Sequence, residues 1–113
     1  MKYKILVIDD DVSFCTMLKT FLEKKGFETS NAFTFNEAEQ ILKDQVFDVV
    51  LTDVRLPDSD GVKILKFVKE TSISTQVILM TGYTDIKTAV SAMKLGAYDY
   101  VSKPINSEEI LHT

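Results

Sequence analysis

The sequence predicts an α/β fold: one doubly wound, parallel, five-stranded sheet with helices on both faces. Short segments rich in β-branched and other apolar residues alternate along the chain with segments of helical periodicity. Three of the short segments, residues 3–8, 47–52 and 76–80, are largely apolar, as expected of strands buried on both faces, and parallel strands need helical crossovers between them. The length of 113 residues and the hydrophobic fraction of 45% fit one globular domain that needs no disulfide or metal for stability.

Polar or turn-forming residues end the five predicted strands. The strands cover residues 3–8, 27–31, 47–52, 76–80 and 98–102. Three consecutive aspartates end the first strand. The third strand ends at Asp53, the fourth at Thr81-Gly82 and the fifth at Lys103-Pro104.

The predicted helices have apolar residues three and four positions apart, which gives each one a face toward the sheet. Four complete helices cover residues 12–25, 36–43, 62–71 and 84–95. Asp11 and Asp60 are predicted N-caps, and Gly26 and Gly96 are predicted helix terminators. On the fourth helix, one face carries Ile86, Ala89, Val90 and Met93. A truncated fifth helix is predicted over 105–113, so we expect a single domain, residues 1–113, that forms the N-terminal part of a longer protein.

Composition excludes several classes of function. The formal net charge is −4 and the sequence has no basic stripe, so we expect no direct nucleic-acid binding. No apolar run approaches the length of a membrane span, and no signal peptide is visible, which predicts a cytoplasmic protein without membrane contact. The single cysteine, Cys15, excludes an internal disulfide and is expected to pack in the core.

Charged and hydroxyl side chains collect where the predicted strands end. In a parallel sheet these carboxyl ends lie at one edge, where ligands bind. The residues at these ends are Asp9, Asp10 and Asp11 after the first strand, Asp53 after the third, Thr81 after the fourth and Lys103 after the fifth. If the first and third strands are neighbours, Asp9, Asp10 and Asp53 converge, and their mutual repulsion requires a cation or a proton. An all-oxygen site of this kind suits Mg²⁺.

The same edge has the groups that phosphoryl transfer requires. A metal ion, the Lys103 ammonium and the Thr81 hydroxyl would surround one carboxylate and stabilise the charge on a transferring phosphoryl group. No serine, cysteine or histidine is suitably placed, so a carboxylate that forms an acyl phosphate is the remaining nucleophile. Asp53 is the predicted acceptor, because it stands alone on its strand while the adjacent Asp9 and Asp10 suit the metal. Gly82, directly after Thr81, leaves access to Asp53 open.

Four motifs give the chain a specific resemblance to a known family. They are VIDDDVS, LTDVRLPDSDG, MTGYTD and YDYVSKP, and together they span about residues 3–105. In order, spacing and local structure, these motifs resemble the receiver domains of bacterial two-component response regulators. The resemblance implies a flavodoxin-like or CheY-like fold with the strand order 2-1-3-4-5.

The resemblance also implies a role for each matching residue. Asp53 would accept a phosphoryl group from a sensor histidine kinase, in self-catalysed transfer and slow autodephosphorylation rather than enzymatic turnover. Asp9 and Asp10 would hold Mg²⁺, for which Mn²⁺ can substitute, together with Asp53 and the backbone carbonyl of Arg55.

Further roles concern the switch and the phosphoryl oxygens. Thr81 would be the switch hydroxyl and Tyr100 the switch aromatic that swings inward behind it. Lys103 would contact the phosphoryl oxygens and would be joined to Pro104 by a cis peptide bond.

The segment TDIKTAVSAMKLGAYDYVSKP is most similar to receivers of the nitrogen-regulator (NtrC-like) type. That similarity implies an ATPase and DNA-binding output that controls transcription. It also implies a homodimer through the face formed by the fourth helix, the fifth strand and the fifth helix, of which the last is mostly absent here.

Three other classes of protein share parts of this pattern. A haloacid-dehalogenase-type phosphatase requires a second aspartate two residues after the nucleophile, where this chain has Arg55. A flavodoxin or dinucleotide-binding domain requires a Gly- or Ser/Thr-rich phosphate loop after the first strand, where three aspartates would repel a phosphate. The remaining alternative is a pseudo-receiver, a protein-binding module that keeps the fold without being phosphorylated.

Overall fold

Strands and helices alternate along the chain in the predicted order. The computed structural model describes residues 3–72, 74–82 and 85–102. Within them the elements are β1 (Lys4–Ile8), α1 (Val12–Lys24), β2 (Glu28–Ala32), α2 (Phe35–Asp44), β3 (Val49–Asp53), α3 (Gly61–Thr71), β4 (Gln76–Thr81), α4 (Ile86–Met93) and β5 (Asp99–Ser102). The predicted fifth helix, together with Lys103 and Pro104, lies outside the described residues.

The five strands form one parallel sheet in the order β2-β1-β3-β4-β5, which confirms the predicted fold. β1 and β3 are neighbours, with Ile8 paired to Thr52, so the residues that follow them leave the sheet side by side. Asp53 pairs with Met80 at the end of β4, and Thr81 pairs with Ser102 of β5. The sheet therefore brings the ends of β1, β3, β4 and β5 to one edge.

Each face of the sheet is covered by its own hydrophobic cluster. On one face, Ile5 and Val7 of β1 pack with the buried face of α1, which includes Leu18 and Leu22. On the other face, Leu6 of β1 packs with buried residues of α2, α3 and α4. Successive β1 side chains thus alternate between two apolar layers, which explains why the strand sequence is hydrophobic throughout.

The polar residues at the helix ends act as predicted. The carboxylates of Asp11 and Asp60 accept hydrogen bonds from the backbone N–H groups of Phe14 and Lys63, and so cap α1 and α3. Gly26 and Gly96 follow α1 and α4 with φ angles of +95° and +105°, a backbone conformation that residues other than glycine rarely adopt.

The α4 helix differs from its prediction in the face that it buries. Ala89 and Ala92 are buried, whereas Val90 and Met93, predicted on the same face as Ala89, are exposed. Small alanine side chains let this short helix lie close to the sheet, and the larger apolar residues then point away from it. None of the helices within the described ranges is long and apolar enough to cross a membrane.

Candidate functional site

Three carboxylates converge at the carboxyl edge of the sheet. Asp9 and Asp10 follow β1, Asp53 ends β3, and one oxygen of each lies within 4.8 Å of the other two. Asp9 is fully buried, Asp53 is half-buried and Asp10 is exposed. Like charges this close repel by about 3 kcal/mol per pair at an effective dielectric constant of about 20, and by about 1 kcal/mol where water screens them, as at the exposed Asp10. A site that concentrates this charge favours a bound cation.

Hydrogen bonds to β2 and to the start of α1 fix the position of Asp9. Its backbone N–H donates to the carbonyl of Ala32 in β2 over 3.1 Å, and its carboxylate accepts the N–H of Asp11 over 3.0 Å. The thiol of Cys15 donates to the Asp9 carbonyl over 3.3 Å and is itself buried, so this cysteine packs in the core as predicted. These contacts leave Asp9 little freedom to turn away from the cluster.

Contacts from β3 itself, from the loop that follows it and from α3 fix the position of Asp53. The backbone N–H of Arg55 lies 3.4 Å from the Asp53 carboxylate, and the Thr52 hydroxyl donates to the Asp53 carbonyl over 3.0 Å. Gly61, the first residue of α3, packs directly against that carbonyl, and a β-carbon at position 61 would collide with the oxygen. Sequence reasoning missed this role of Gly61, because only the three-dimensional approach of α3 to the end of β3 requires it.

The residues predicted for the switch share one face of the sheet. Tyr100 pairs with Leu79, and Thr81 lies two residues after Leu79 on β4, so all three side chains project from the same face. Thr81 is buried, and its hydroxyl donates to the Gly82 carbonyl over 2.9 Å. Tyr100 is partly buried against the cluster that contains Leu79. A β-carbon on Gly82 would meet no atom within 4 Å among the residues that the structure describes.

Two further carboxylates organise the loops beside the site, and sequence reasoning missed both. Asp58 accepts the backbone N–H groups of Phe35 and Asn36, at 2.7 and 3.0 Å, and so ties the β3–α3 loop to the start of α2. Asp85 accepts the Nε–H of Arg55, at 2.9 and 3.0 Å from its two oxygens. Each contact joins residues far apart in sequence, and no local pattern pairs them.

The donor set suits a hard divalent cation. The three clustered side chains offer only carboxylate oxygens, the ligands that Mg²⁺ and Mn²⁺ favour, and the exposure of Asp10 leaves room for coordinated water. Lys103 and Pro104, predicted to complete the site, lie outside the described residues.

The whole chain resembles known receiver domains in sequence. Residues 5–113 match the response regulator receiver domain family. The transcriptional regulatory protein ZraR of Salmonella typhimurium is 38% identical over 112 residues, which cover 99% of this chain and 25% of ZraR. The chain thus spans about a quarter of the length of these curated relatives.

Solved structures agree with this sequence match. A response regulator receiver domain protein from Clostridium thermocellum superposes with a TM-score of 0.91 at 35% identity, over 96% of this chain and 87% of its own. The beryllofluoride-activated NtrC4 receiver domain dimer superposes with a TM-score of 0.90 at 41% identity, over 97% of this chain and 91% of its own. The chain belongs to the response regulator receiver domain family, whose members are signalling domains of two-component systems.

Proposed function

We propose that this domain accepts a phosphoryl group on Asp53 from a sensor histidine kinase. The observation that carries the proposal is the convergence of Asp9, Asp10 and Asp53 within 4.8 Å at the carboxyl edge of the sheet. In the reaction, an Asp53 carboxylate oxygen attacks phosphorus, and the bond from phosphorus to the histidine nitrogen of the kinase breaks. The electron pair of that bond returns to the imidazole, and an acyl phosphate forms on Asp53.

Asp9 and Asp10, with Asp53 and the backbone carbonyl of Arg55, would hold Mg²⁺ or Mn²⁺. The bound cation would offset the negative charge of the carboxylates and of the incoming phosphoryl group. The half-buried Asp53 keeps one side open to the donor, and Gly82 adds no side chain to obstruct it. Lys103 would contribute an ammonium to the phosphoryl oxygens, an assignment that rests on the sequence motif.

Thr81 and Tyr100 would transmit phosphorylation to the surface. Their shared face of the sheet supports this role, because a movement of the Thr81 hydroxyl toward the phosphoryl group vacates space that the partly buried Tyr100 ring can fill. The Thr81 hydroxyl would exchange its bond to the Gly82 carbonyl for one to the phosphoryl group.

The output is proposed to be transcription, exerted by further domains of a longer cytoplasmic protein. ZraR is a transcriptional regulatory protein about four times as long as the matched region. In this proposal residues 1–113 form one receiver domain that itself contacts neither nucleic acid nor membrane. An ATPase and a DNA-binding domain would follow it. Within the receiver domain, the peptide bond between Lys103 and Pro104 would be cis, an assignment that rests on the sequence motif.

A homodimer is proposed through α4, β5 and the predicted fifth helix. Val90, Met93, Leu95 and Tyr98 are large apolar residues between 37% and 51% exposed on this side, and the similar NtrC4 receiver domain was solved as a dimer. Val90→Asp should reduce self-association of the phosphorylated domain in sedimentation velocity. Val46→Asp, at another exposed apolar position, should leave it unchanged.

The phosphorylation proposal is tested by intact mass after incubation with acetyl phosphate, with Mg²⁺ or with EDTA. We expect a gain of one phosphoryl group that depends on Mg²⁺ and is absent in Asp53→Asn. Asp44→Asn, the same change at the exposed end of α2, serves as the control and should still be phosphorylated. No gain in a wild-type domain with an intact circular dichroism spectrum would instead favour the pseudo-receiver.

A further inference from the structure

The Arg55–Asp85 ion pair connects two loops at the carboxyl edge of the sheet. Arg55 belongs to the loop after β3, and Asp85 stands directly before α4. The Nε–H of Arg55 points at both oxygens of the Asp85 carboxylate, at 2.9 and 3.0 Å. The Arg55 side chain is 73% exposed and that of Asp85 only 14%, so a solvent-exposed arginine pairs with a mostly buried carboxylate.

Asp85 has the position and chemistry of an N-cap but does not cap α4. The side chains of Asp11, Thr34 and Asp60 accept an N–H from the first turn of α1, α2 and α3, and each has an extended backbone. Asp85 has φ −108° and ψ 9°, and its side chain makes no such bond to α4 within the described residues. Its carboxylate is committed to Arg55 instead, which leaves the first N–H groups of α4 without the cap that aspartate usually supplies.

Arg55 is also in direct contact with the proposed acceptor. Its backbone N–H lies 3.4 Å from the Asp53 carboxylate, which fixes the base of the long, flexible side chain beside the point where a phosphoryl group would be attached. That group would carry close to two negative charges, and guanidinium binds phosphate oxygens in charge-assisted hydrogen bonds. An ion pair with one partner so exposed contributes little to stability, so a phosphoryl group can compete for it.

We propose that Asp85 is a positioning residue that holds Arg55 away from Asp53 until Asp53 is phosphorylated. The phosphoryl group then draws the guanidinium from Asp85, and the released carboxylate caps α4. The exchange would link the chemistry at Asp53 to the first turn of α4, and it rests on the proposed phosphorylation of Asp53.

The first test measures the lifetime of the acyl phosphate in four proteins: wild type, Asp85→Asn, Arg55→Ala and the double variant. Each is phosphorylated with acetyl phosphate, whose acetate leaves as the phosphoryl group joins Asp53, and is then freed of donor. Hydrolysis returns the carboxylate and inorganic phosphate. Arg55→Ala removes the guanidinium with the rest of the side chain beyond Cβ and keeps the backbone carbonyl assigned to the metal.

We expect Asp85→Asn to slow phosphoryl loss by about twofold to fivefold, the range that an exposed ion pair supplies. In the released state Arg55 covers the phosphoryl group and hinders attack by water. In the Arg55→Ala background the Asp85 substitution should have no further effect. Glu39→Gln, which removes one acidic charge from the distant Glu39–Lys43 pair on α2, should leave the lifetime unchanged.

A second readout follows the proposed cap itself. Amide hydrogen exchange at Lys87 and Thr88, the second and third residues of α4, should slow on phosphorylation in the wild type and less so in Asp85→Asn. The inference is overturned if Asp85→Asn changes the acyl-phosphate lifetime equally with and without the Arg55 side chain. It is also overturned if phosphorylation leaves hydrogen exchange at both amides unchanged. Neither result would contradict the phosphorylation of Asp53. A wild-type domain that is not phosphorylated would remove both proposals.

Discussion

The backbone around Asp53 sets where the proposed acceptor carboxylate can lie. Its carbonyl is in contact with the Thr52 hydroxyl and with the α-carbon of Gly61, and its carboxylate is in contact with the Arg55 N–H. The missing side chain at position 61 lets α3 begin directly against the end of β3. Asp53 is therefore positioned by packing of the backbone as well as by its place in the strand.

We predict that Gly61→Ala lowers the free energy of unfolding by about 2 kcal/mol, the usual size of an overpacking effect. The new β-carbon would collide with the Asp53 carbonyl oxygen, and either α3 or the end of β3 must shift. The phosphorylation rate with acetyl phosphate should fall as well. Urea denaturation measures the first effect and intact mass against time the second.

Gly82→Ala is the matched control, because its β-carbon would meet no atom of the described part of the chain within 4 Å. Its unfolding free energy should stay within about 0.5 kcal/mol of the wild type, as for ordinary surface substitutions. Equal stability losses in the two variants would contradict the close packing at Gly61.

At the residue scale, the sequence predicts the acidic cluster but not the neighbouring contacts that position its residues. Asp9, Asp10 and Asp53 follow apolar strand segments, and parallel pairing alone brings such residues to one edge. The contacts of Gly61 and Asp85 depend on where a helix begins relative to a distant strand or loop. No periodicity in the sequence contains that information.

At the element scale, the start of α2 is fixed from two directions. The Thr34 hydroxyl accepts the Glu37 N–H, and the Glu37 carboxylate reaches back to accept the N–H of Phe33, one residue before the cap, in a variant of the capping box. Asp58 accepts the next two N–H groups, those of Phe35 and Asn36. The β3–α3 loop, which carries Arg55, is thereby tied to α2.

The Asp58 contact makes a pH-dependent contribution to stability. The hydrogen bond from Phe35 lowers the pKa of Asp58 below its ordinary value of 3.8, helped by the N–H groups of Asn36 and of Asp58 itself and opposed by desolvation. Because the pKa is lower in the folded state, this contribution is complete above pH 3.8 and is lost as the pH falls through the lowered pKa.

We therefore predict that Asp58→Asn unfolds at a lower urea concentration than the wild type at pH 7. The difference should shrink below about pH 4, as the wild-type carboxylate becomes protonated. Asp44→Asn makes the same change at the C-terminal end of α2, where a negative charge is unfavourable, and should not destabilise the domain. A difference for Asp58→Asn that stays constant down to pH 2 would contradict the charged cap.

Element order was predictable because strand and helix periodicities differ, but the buried face of α4 was not. The exposed Val90 and Met93 satisfy a helical apolar pattern as well as a buried pair would. Sequence periodicity reports that a helix has an apolar face, whereas its close packing on the sheet is decided by the small Ala89 and Ala92.

At the scale of the whole molecule, the sheet order concentrates negative charge at one edge. β1 and β3 are adjacent, and the repulsion among Asp9, Asp10 and Asp53 opposes folding until a cation is bound. A ligand that binds only the folded state raises its stability by mass action. Metal binding at this edge should therefore be visible in global unfolding.

We predict that Mg²⁺ raises the melting temperature of the wild type and that Asp10→Asn removes most of this gain. In EDTA, Asp10→Asn should itself melt about 4 °C higher, since relief of repulsion at an exposed carboxylate is worth ~1 kcal/mol in a domain of this size. Calorimetry at matched ionic strength measures both effects. Asp44→Asn should keep the full Mg²⁺ response, and an undiminished response in Asp10→Asn would contradict the proposed metal site.

The most direct test of the central proposal identifies which residue of the wild-type protein is phosphorylated. After reaction with acetyl phosphate and Mg²⁺, borohydride reduces an aspartyl phosphate to homoserine, and peptide mass spectrometry locates it. The account predicts homoserine at position 53 and at neither Asp9 nor Asp10. Homoserine at Asp9 or Asp10, or none after a confirmed phosphoryl gain, would contradict the assignment of Asp53 as the acceptor.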